Sequence, residues 1–395
     1  MRFRTWAAAA APLCMAWCAA AHAQQVTGNA FNPAISLILN GHYASYSRNP
    51  ADWALPGFLL DSEAGLPAEG LSLDETELAI SANVDDKYYG FVAASIDQTG
   101  HETSLALEEG YFETLALPKG LKVKAGRFLS DVGYLNPIHA HAWDFDDAPL
   151  VYLALLNGAY ADTGVQVKWV APTTLFVELG TELMRGDSFP AAGAAHGGVG
   201  ARTLFAHFGG DVGSTSSWRA GVSWLATSAS ERESAFALGT AAFTGDSDVA
   251  IADFVWKWAR NGNPRDRYYT VQAEFMHRRE SGTLAVTTPT ATSTGLYDGT
   301  QSGYYVQGVY QFRPRWRVGA RYDRLEASNS VVIVGPNPLA ATHEPSRVSV
   351  MGDFSNSEFS RMRLQVNRDR SRADADNQIV FQYLMSLGAH GAHRF

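Results

Sequence analysis

The stretch Trp316-Arg317-Val318-Gly319-Ala320-Arg321-Tyr322-Asp323 sets Trp316, Val318, Ala320 and Tyr322 on one parity and Arg317, Gly319, Arg321 and Asp323 on the other. A period of two marks a β-strand, whose successive side chains point to opposite faces. One face suits an apolar medium and the other a polar one. The pattern recurs along the chain. Val165, Val167 and Trp169 alternate with Gln166 and Lys168, and Trp218, Ala220, Val222 and Trp224 with Arg219, Gly221 and Ser223. Met362, Leu364 and Val366 alternate with Arg361, Arg363, Gln365 and Asn367.

A soluble β-sandwich also alternates, so the content of the two faces decides. Here the apolar face is rich in Trp, Tyr and Phe, often at segment ends. The opposite face carries successive charges, such as Lys122 and Lys124, or Glu178 and Glu182. Aromatic girdles outside and polar side chains inside describe a transmembrane barrel. The reading gives about sixteen segments: 34–47, 73–84, 88–97, 103–116, 121–128, 164–171, 175–183, 198–209, 217–227, 248–259, 268–279, 302–312, 316–326, 347–355, 359–369 and 377–388. Short connectors such as Asp85-Asp86, Pro118-Lys119-Gly120 and Asn261-Gly262-Asn263 alternate with long ones at 48–72, 129–163, 184–197, 228–247, 280–301 and 327–346. Tight periplasmic turns and long external loops produce that asymmetry in an outer-membrane barrel. The expected fold is therefore all-β, a transmembrane antiparallel β-barrel of about 16 strands.

Composition narrows the function. Of 395 residues, 46% are hydrophobic, 12% aromatic and 18% charged, and mean hydropathy is −0.13. Beyond the first two dozen residues no apolar run approaches the roughly 18–20 residues of a membrane-spanning helix. The aromatic content and low charge exclude a disordered chain. A formal charge of −9 argues against nucleic-acid binding through phosphate contacts. Residues 1–23 read as a signal peptide: Arg2 and Arg4, an apolar stretch from Trp6 to Ala20, then Ala21-His22-Ala23 as the cleavage site. Residues 24–395 form the expected barrel domain. Both cysteines, Cys14 and Cys18, lie in the signal peptide, with bulky Leu13 and Trp17 before them, so the body has neither disulfide nor thiolate chemistry.

Several stretches carry a resemblance: Gly126-Arg127-Phe128 running into Gly133-Tyr134-Leu135-Asn136, the run His139 to Asp147, Gly186-Asp187-Ser188-Phe189-Pro190, and the tail from Met385 to Phe395. With them the chain resembles Gram-negative outer-membrane porins related to the phosphate-selective porin O/P family. Similar chains carry the label of zinc-regulated TonB-dependent outer-membrane receptors. The resemblance implies residence in the bacterial outer membrane, contact with its lipid, and delivery to the barrel-assembly machinery through Phe395. A homotrimer is an assembly open to a barrel of this size. Two departures matter. A TonB-dependent receptor needs a plug and about 22 strands, more than this chain can hold, and Gln24 to Pro33 contains no evident energy-coupling box. In the tail, Ala389, Gly391 and His393 stand where aromatic or apolar residues usually recur.

Loop 129–163 follows the fifth segment, the place from which classical porins fold a loop into the lumen. Asp147 can cap a short helix beginning at Pro149 and ending before Gly158. With Leu150, Val151, Leu153, Leu155 and Leu156, that helix is too apolar for water and should pack against the inner wall. His139, His141, Asp144 and Asp146 form a candidate site for Zn²⁺ or a similar divalent cation, since imidazole and carboxylate are good ligands for it. In the alternative reading the aspartates bond loop backbone and the histidines are merely polar. His390 and His393 would face the periplasm, too far across a membrane band of roughly 25 Å to join them.

Inward positions read from the alternation are Lys122, Lys124, Arg127, Lys168, Arg219, Arg317, Arg321, Arg361 and Arg363, with Glu75, Glu77, Glu108, Glu178, Glu182 and Glu274 as acidic counterparts. The arginines either form a ladder that attracts anions or pair with Asp323, Asp369 and their neighbours. No spacing singles out a nucleophile, metal-hydrolase pair or phosphate loop, so neither an enzyme nor a resident cofactor is expected. His42 and His207 read as ordinary strand histidines. The expected function is a channel for passive, charge-selective diffusion of small polar solutes or ions, narrowed by loop 129–163. The alternative is a non-conducting surface barrel that captures a metal such as zinc or another ligand.

Overall fold

Sixteen antiparallel strands close into one ring. The structure is a computed structural model and describes residues 33–61, 64–99, 102–193 and 198–388; the side chains of 74, 75, 97–99 and 102 are not described. The signal-peptide reading, the side chain of Glu75, His390, His393 and Phe395 lie outside the described residues. The strands are β1 (Ala34–Tyr46), β2 (Gly70–Asn83), β3 (Tyr88–Thr99), β4 (Glu102–Thr114), β5 (Leu121–Leu129), β6 (Ala161–Val170), β7 (Phe176–Met184) and β8 (Ala201–Val212). They continue as β9 (Ser216–Phe236), β10 (Gly239–Ala259), β11 (Tyr268–Thr287), β12 (Thr292–Arg313), β13 (Trp316–Val332), β14 (Ser346–Ser357), β15 (Ser360–Arg370) and β16 (Asp376–Gly388). Each pairs with its sequence neighbours, and β1 closes the ring on β16 from Ser36↔Gly388 to Tyr46↔Gln378.

The alternation becomes two surfaces. Val222, Leu204, Phe254, Leu364 and Ile379 stand exposed on the outside. At the turn end, Trp256 and Trp258 pack on Tyr269, Trp316 on Phe354 and Tyr88 on Phe112. An exposed apolar belt with an aromatic rim is the surface of a barrel seated in lipid, not of one in water. The same strands turn Glu77, Lys168, Glu274, Arg321 and Arg363 inward, where they are buried.

Two expected loops are strand. Residues 228–247 and 280–301 belong to hairpins whose strands run 20–22 residues, joined by residues 237–238 and 288–291. A tilted strand crosses a bilayer in about 9–11 residues, so these hairpins stand well beyond it. Their outer face meets water, which explains why the alternation was missed. Glu231 and Glu233 are exposed on the outside while Arg232 and Ser234 are buried inside, so both faces are polar.

Leu364 lies near the middle of β15 on the lipid face. Leu364→Arg should destabilise the folded barrel by about 2–4 kcal/mol, measured by urea unfolding in vesicles, with barrel secondary structure retained at zero denaturant.

Candidate functional site

Loop 130–160 leaves β5, enters the lumen and crosses it. Its first turn is held by two wall carboxylates. Glu182 on β7 accepts from Ser130 Oγ at 2.5 Å and from the Asp131 amide at 3.0 Å. Glu274 on β11 accepts from the amides of Tyr134 and Leu135, both at 3.0 Å, and from the hydroxyls of Tyr152 and Tyr305 at 2.9 and 2.6 Å. The chain reaches Glu274 because Gly133 adopts φ +70°; a Cβ there would sit 2.5 Å from Glu274 Oε2. Asn136, fully buried, ties the loop's ends together. Its Nδ2 donates to the carbonyls of Ser130 and Tyr160, and its Oδ1 accepts from the Tyr160 amide.

The next segment meets β2 and β4. His139 Nε2 lies 2.8 Å from Glu109 Oε2, and its Nδ1 lies 3.0 Å from Glu77 Oε2 and 3.5 Å from Glu108 Oε2. His141 Nδ1 is 3.2 Å from the same Glu77 oxygen. Both strands are irregular here. The β3–β4 register skips Glu108, and the β1–β2 register slips beside Glu77. Such β-bulges re-aim side chains. Burial opposes a charge on His139, but the carboxylates of Glu108, Glu109 and Glu77 hold its pKa well above the usual imidazole value.

Residues 141–148 then meet a basic wall on β13, β14 and β15. Asp144 pairs with Arg317 at 2.8 Å, and Asp147 with Arg321 at 2.6 Å and Arg347 at 2.8 Å. Arg361 and Arg363 donate to the carbonyls of His141 and Trp143, both at 2.7 Å. Asp146 lies 2.9 Å from His42 on β1. In a ring of sixteen, β7 and β15 face each other, so the loop spans the barrel from wall to opposite wall.

The crossing ends in α1 (Leu150–Leu156), of which only Leu153 is not buried. Asp147 does not cap it. That carboxylate is committed to Arg321 and Arg347, and the Leu150 amide donates instead to Asp323 Oδ1 of the wall at 3.0 Å. The helix stops at Asn157 in the left-handed conformation, φ 53°. It packs on inward-facing Leu225, Ile251, Met276 and Leu325, with Leu55 and Phe58 of loop 47–69 in the same cluster. Each buried Leu or Val contributes roughly 1.5–3 kcal/mol, so thermal motion alone does not lift the helix away.

The structure separates the candidate residues into groups. Lys122, Lys124, Lys168, Arg219, Arg317, Arg321, Arg361, Arg363, Glu178 and Glu182 are on the inward parity. Lys122 pairs with Glu113 and Lys168 with Asp131, while Lys124 lies 4.5 Å from the centre of the Tyr111 ring. Arg219 stacks on Tyr134, and Glu178 pairs with His207. Arg127 is a correction. Lys124 and buried Phe128 share the even, inward parity, so Arg127 falls on the outer face, where it donates to the Leu107 carbonyl. His139 and His141 do come together, but with Glu77; Asp144 and Asp146 are held apart by Arg317 and His42. Arg321 pairs with Asp323, whereas Asp369 accepts from Ser371. Sequence reasoning missed Glu109, which the bulge turns inward. It also missed the apolar inward residues, although Leu225, Ile251, Met276 and Leu325 already break the polar parity of their strands.

Fold and crossing loop define the class: a sixteen-stranded transmembrane β-barrel with the porin fold, its lumen crossed by a loop. OmpT with loop L8 deleted, from Vibrio cholerae, matches with a TM-score of 0.56 at 12% identity, over 90% of this chain and 99% of that one. DcaP of Acinetobacter baumannii, an outer-membrane channel, matches at 0.55 and 11%, over 90% and 96%. OprB of Pseudomonas putida matches at 0.53 and 13%, over 90% and 94%. No family model matches. An uncharacterised protein of Aquifex aeolicus (strain VF5) is 30% identical over 409 aligned positions, covering 93% of this chain and 80% of its own. The chain belongs to the same family as that protein.

Two outcomes follow for the loop. Glu274→Ala strands four donors, at about 1–3 kcal/mol for each buried one; residues 130–136 should become protease-sensitive while the barrel's circular dichroism is unchanged. Burial would raise the Asp147 carboxyl, yet Arg321 and Arg347 bring it from 3.8 down to about 2. A lowered folded value means the pairing is complete above about pH 4 and is lost as pH falls toward 2. Hydrogen exchange of residues 144–156 should therefore be flat from neutral pH to about pH 4, once the intrinsic rate is allowed for, and rise below it.

Proposed function

We propose that this protein is a porin-type channel for small polar solutes or ions, closed at mid-height by loop 130–160 and conducting only when that loop is displaced. The observation that carries the reading is the dryness of the lumen wall. His42, Gln166, Glu274, Asp323 and Gln365, drawn from five different strands, are each 2% exposed or less. A water-filled pore would leave such side chains wet. The porin fold supplies the conduit, and the crossing loop supplies the barrier.

Charge selectivity belongs to the opened state. Asp144 and Asp147 neutralise the arginines of β13 and β14 only while the loop is seated. Without it, Arg317, Arg321, Arg347, Arg361 and Arg363 face the lumen with Asp323 and Asp353 as nearby wall carboxylates. A basic wall in a confined passage favours anions.

Planar-bilayer recording tests both statements. The intact protein should give rare, small current steps. A variant with residues 137–156 replaced by a short Gly-Ser linker should give steady ohmic steps, with a reversal potential under a salt gradient that favours anions. Large steady currents from the intact protein would refute the barrier. Silence from a folded, inserted, loop-shortened barrel would refute the channel.

A further inference from the structure

We propose that Glu77, His139 and His141 bind one divalent transition-metal ion of the zinc class inside the lumen, as a set of three protein ligands, with Glu109 behind the first histidine. The three donors lie within 4.8 Å of one another. A tetrahedral zinc ion with bonds of about 2.0–2.1 Å holds its ligand atoms about 3.3 Å apart. The separations from Glu77 Oε2 are 3.0 Å to His139 Nδ1 and 3.2 Å to His141 Nδ1.

Two further observations point to a ligand. Glu77 is 4% exposed, and its Oε2 is buried without a well-aligned hydrogen bond, although both imidazole nitrogens are within reach. That one oxygen is shared between the two imidazoles, at 3.0 and 3.2 Å from their Nδ1 atoms. Glu109 meanwhile takes the other ring nitrogen of His139 at 2.8 Å. A carboxylate in that position fixes the tautomer and turns Nδ1, as a lone-pair donor, toward the metal. Register shifts lie beside these carboxylates on both β2 and β4, and such bulges re-aim side chains.

The site joins wall to loop, since Glu77 belongs to β2 and both histidines to the crossing segment. A bound ion would staple the loop shut, a consequence that rests on the loop being the barrier; binding itself does not. The measurement is Co²⁺ titration of the metal-free, refolded barrel in detergent at neutral pH, read by ligand-field absorption, with Zn²⁺ displacing the signal. One ion per chain is expected. The His139→Ala, His141→Ala double variant should lose the signal, and Glu109→Gln should weaken binding about 10–100-fold. If the double variant does not fold, Glu77→Gln, which keeps size and removes charge, serves in its place. Absence of the signal in folded protein would overturn the site and leave an imidazolium ringed by carboxylates. Persistence of the same signal in the variants would overturn it equally. Stoichiometric binding with no effect of Zn²⁺ on channel opening would retain the metal site and remove the staple.

Discussion

Everything in this molecule depends on the pairing of its first strand with its last. In hydrocarbon an unpaired N–H or C=O has no water to turn to, so a sheet can cross a membrane only as a ring without edges. The register from Ser36↔Gly388 to Tyr46↔Gln378 provides that closure. Once the ring exists, the outer face answers to lipid alone and tolerates any apolar residue. The inner face encloses a space that sixteen strands make too wide for their own side chains to fill.

The chain fills it with a segment chemically matched to the wall it meets at each step. Backbone amides at 131, 134 and 135 meet the carboxylates of Glu182 and Glu274. Histidines meet the carboxylates of β2 and β4, and aspartates meet the arginines of β13 and β14. Apolar α1 meets the apolar patch of the wall. Buried charges are tolerable only when paired, and removing one member of a pair costs far more than the pair itself contributes. The loop and the wall are therefore constrained jointly.

The barrel was legible in the sequence because each membrane-crossing segment sees two contrasting media. Lipid and lumen impose opposite polarity on successive residues, and β5 and β15 were located to within a residue or so. Where both faces meet water, as in the tops of β9 to β12, the contrast vanishes and strand reads as loop. The apolar helix could be read locally. Its N-terminal partner could not: Asp147 is three residues before Leu150, yet the acceptor used is Asp323. The proposed cation site was half legible. His139 and His141 are neighbours in sequence, but Glu77 and Glu109 arrive from other strands, and a bulge exchanges the parity on which inward positions were counted. Nothing in the sequence separates Asp144 and Asp146 from the histidines; it is the wall that occupies them, with Arg317 and His42.

Arg361 and Arg363 hold carbonyls 220 residues earlier in the chain. No local folding step can make those bonds, because one partner belongs to the fifteenth strand and the other lies between the fifth and sixth. The loop's seat on the basic wall is therefore completed only as the ring's last strands arrive, and until then Asp144 and Asp147 lack their arginine partners. Seating is therefore a late event in assembly, because it waits on contacts between segments far apart in the chain.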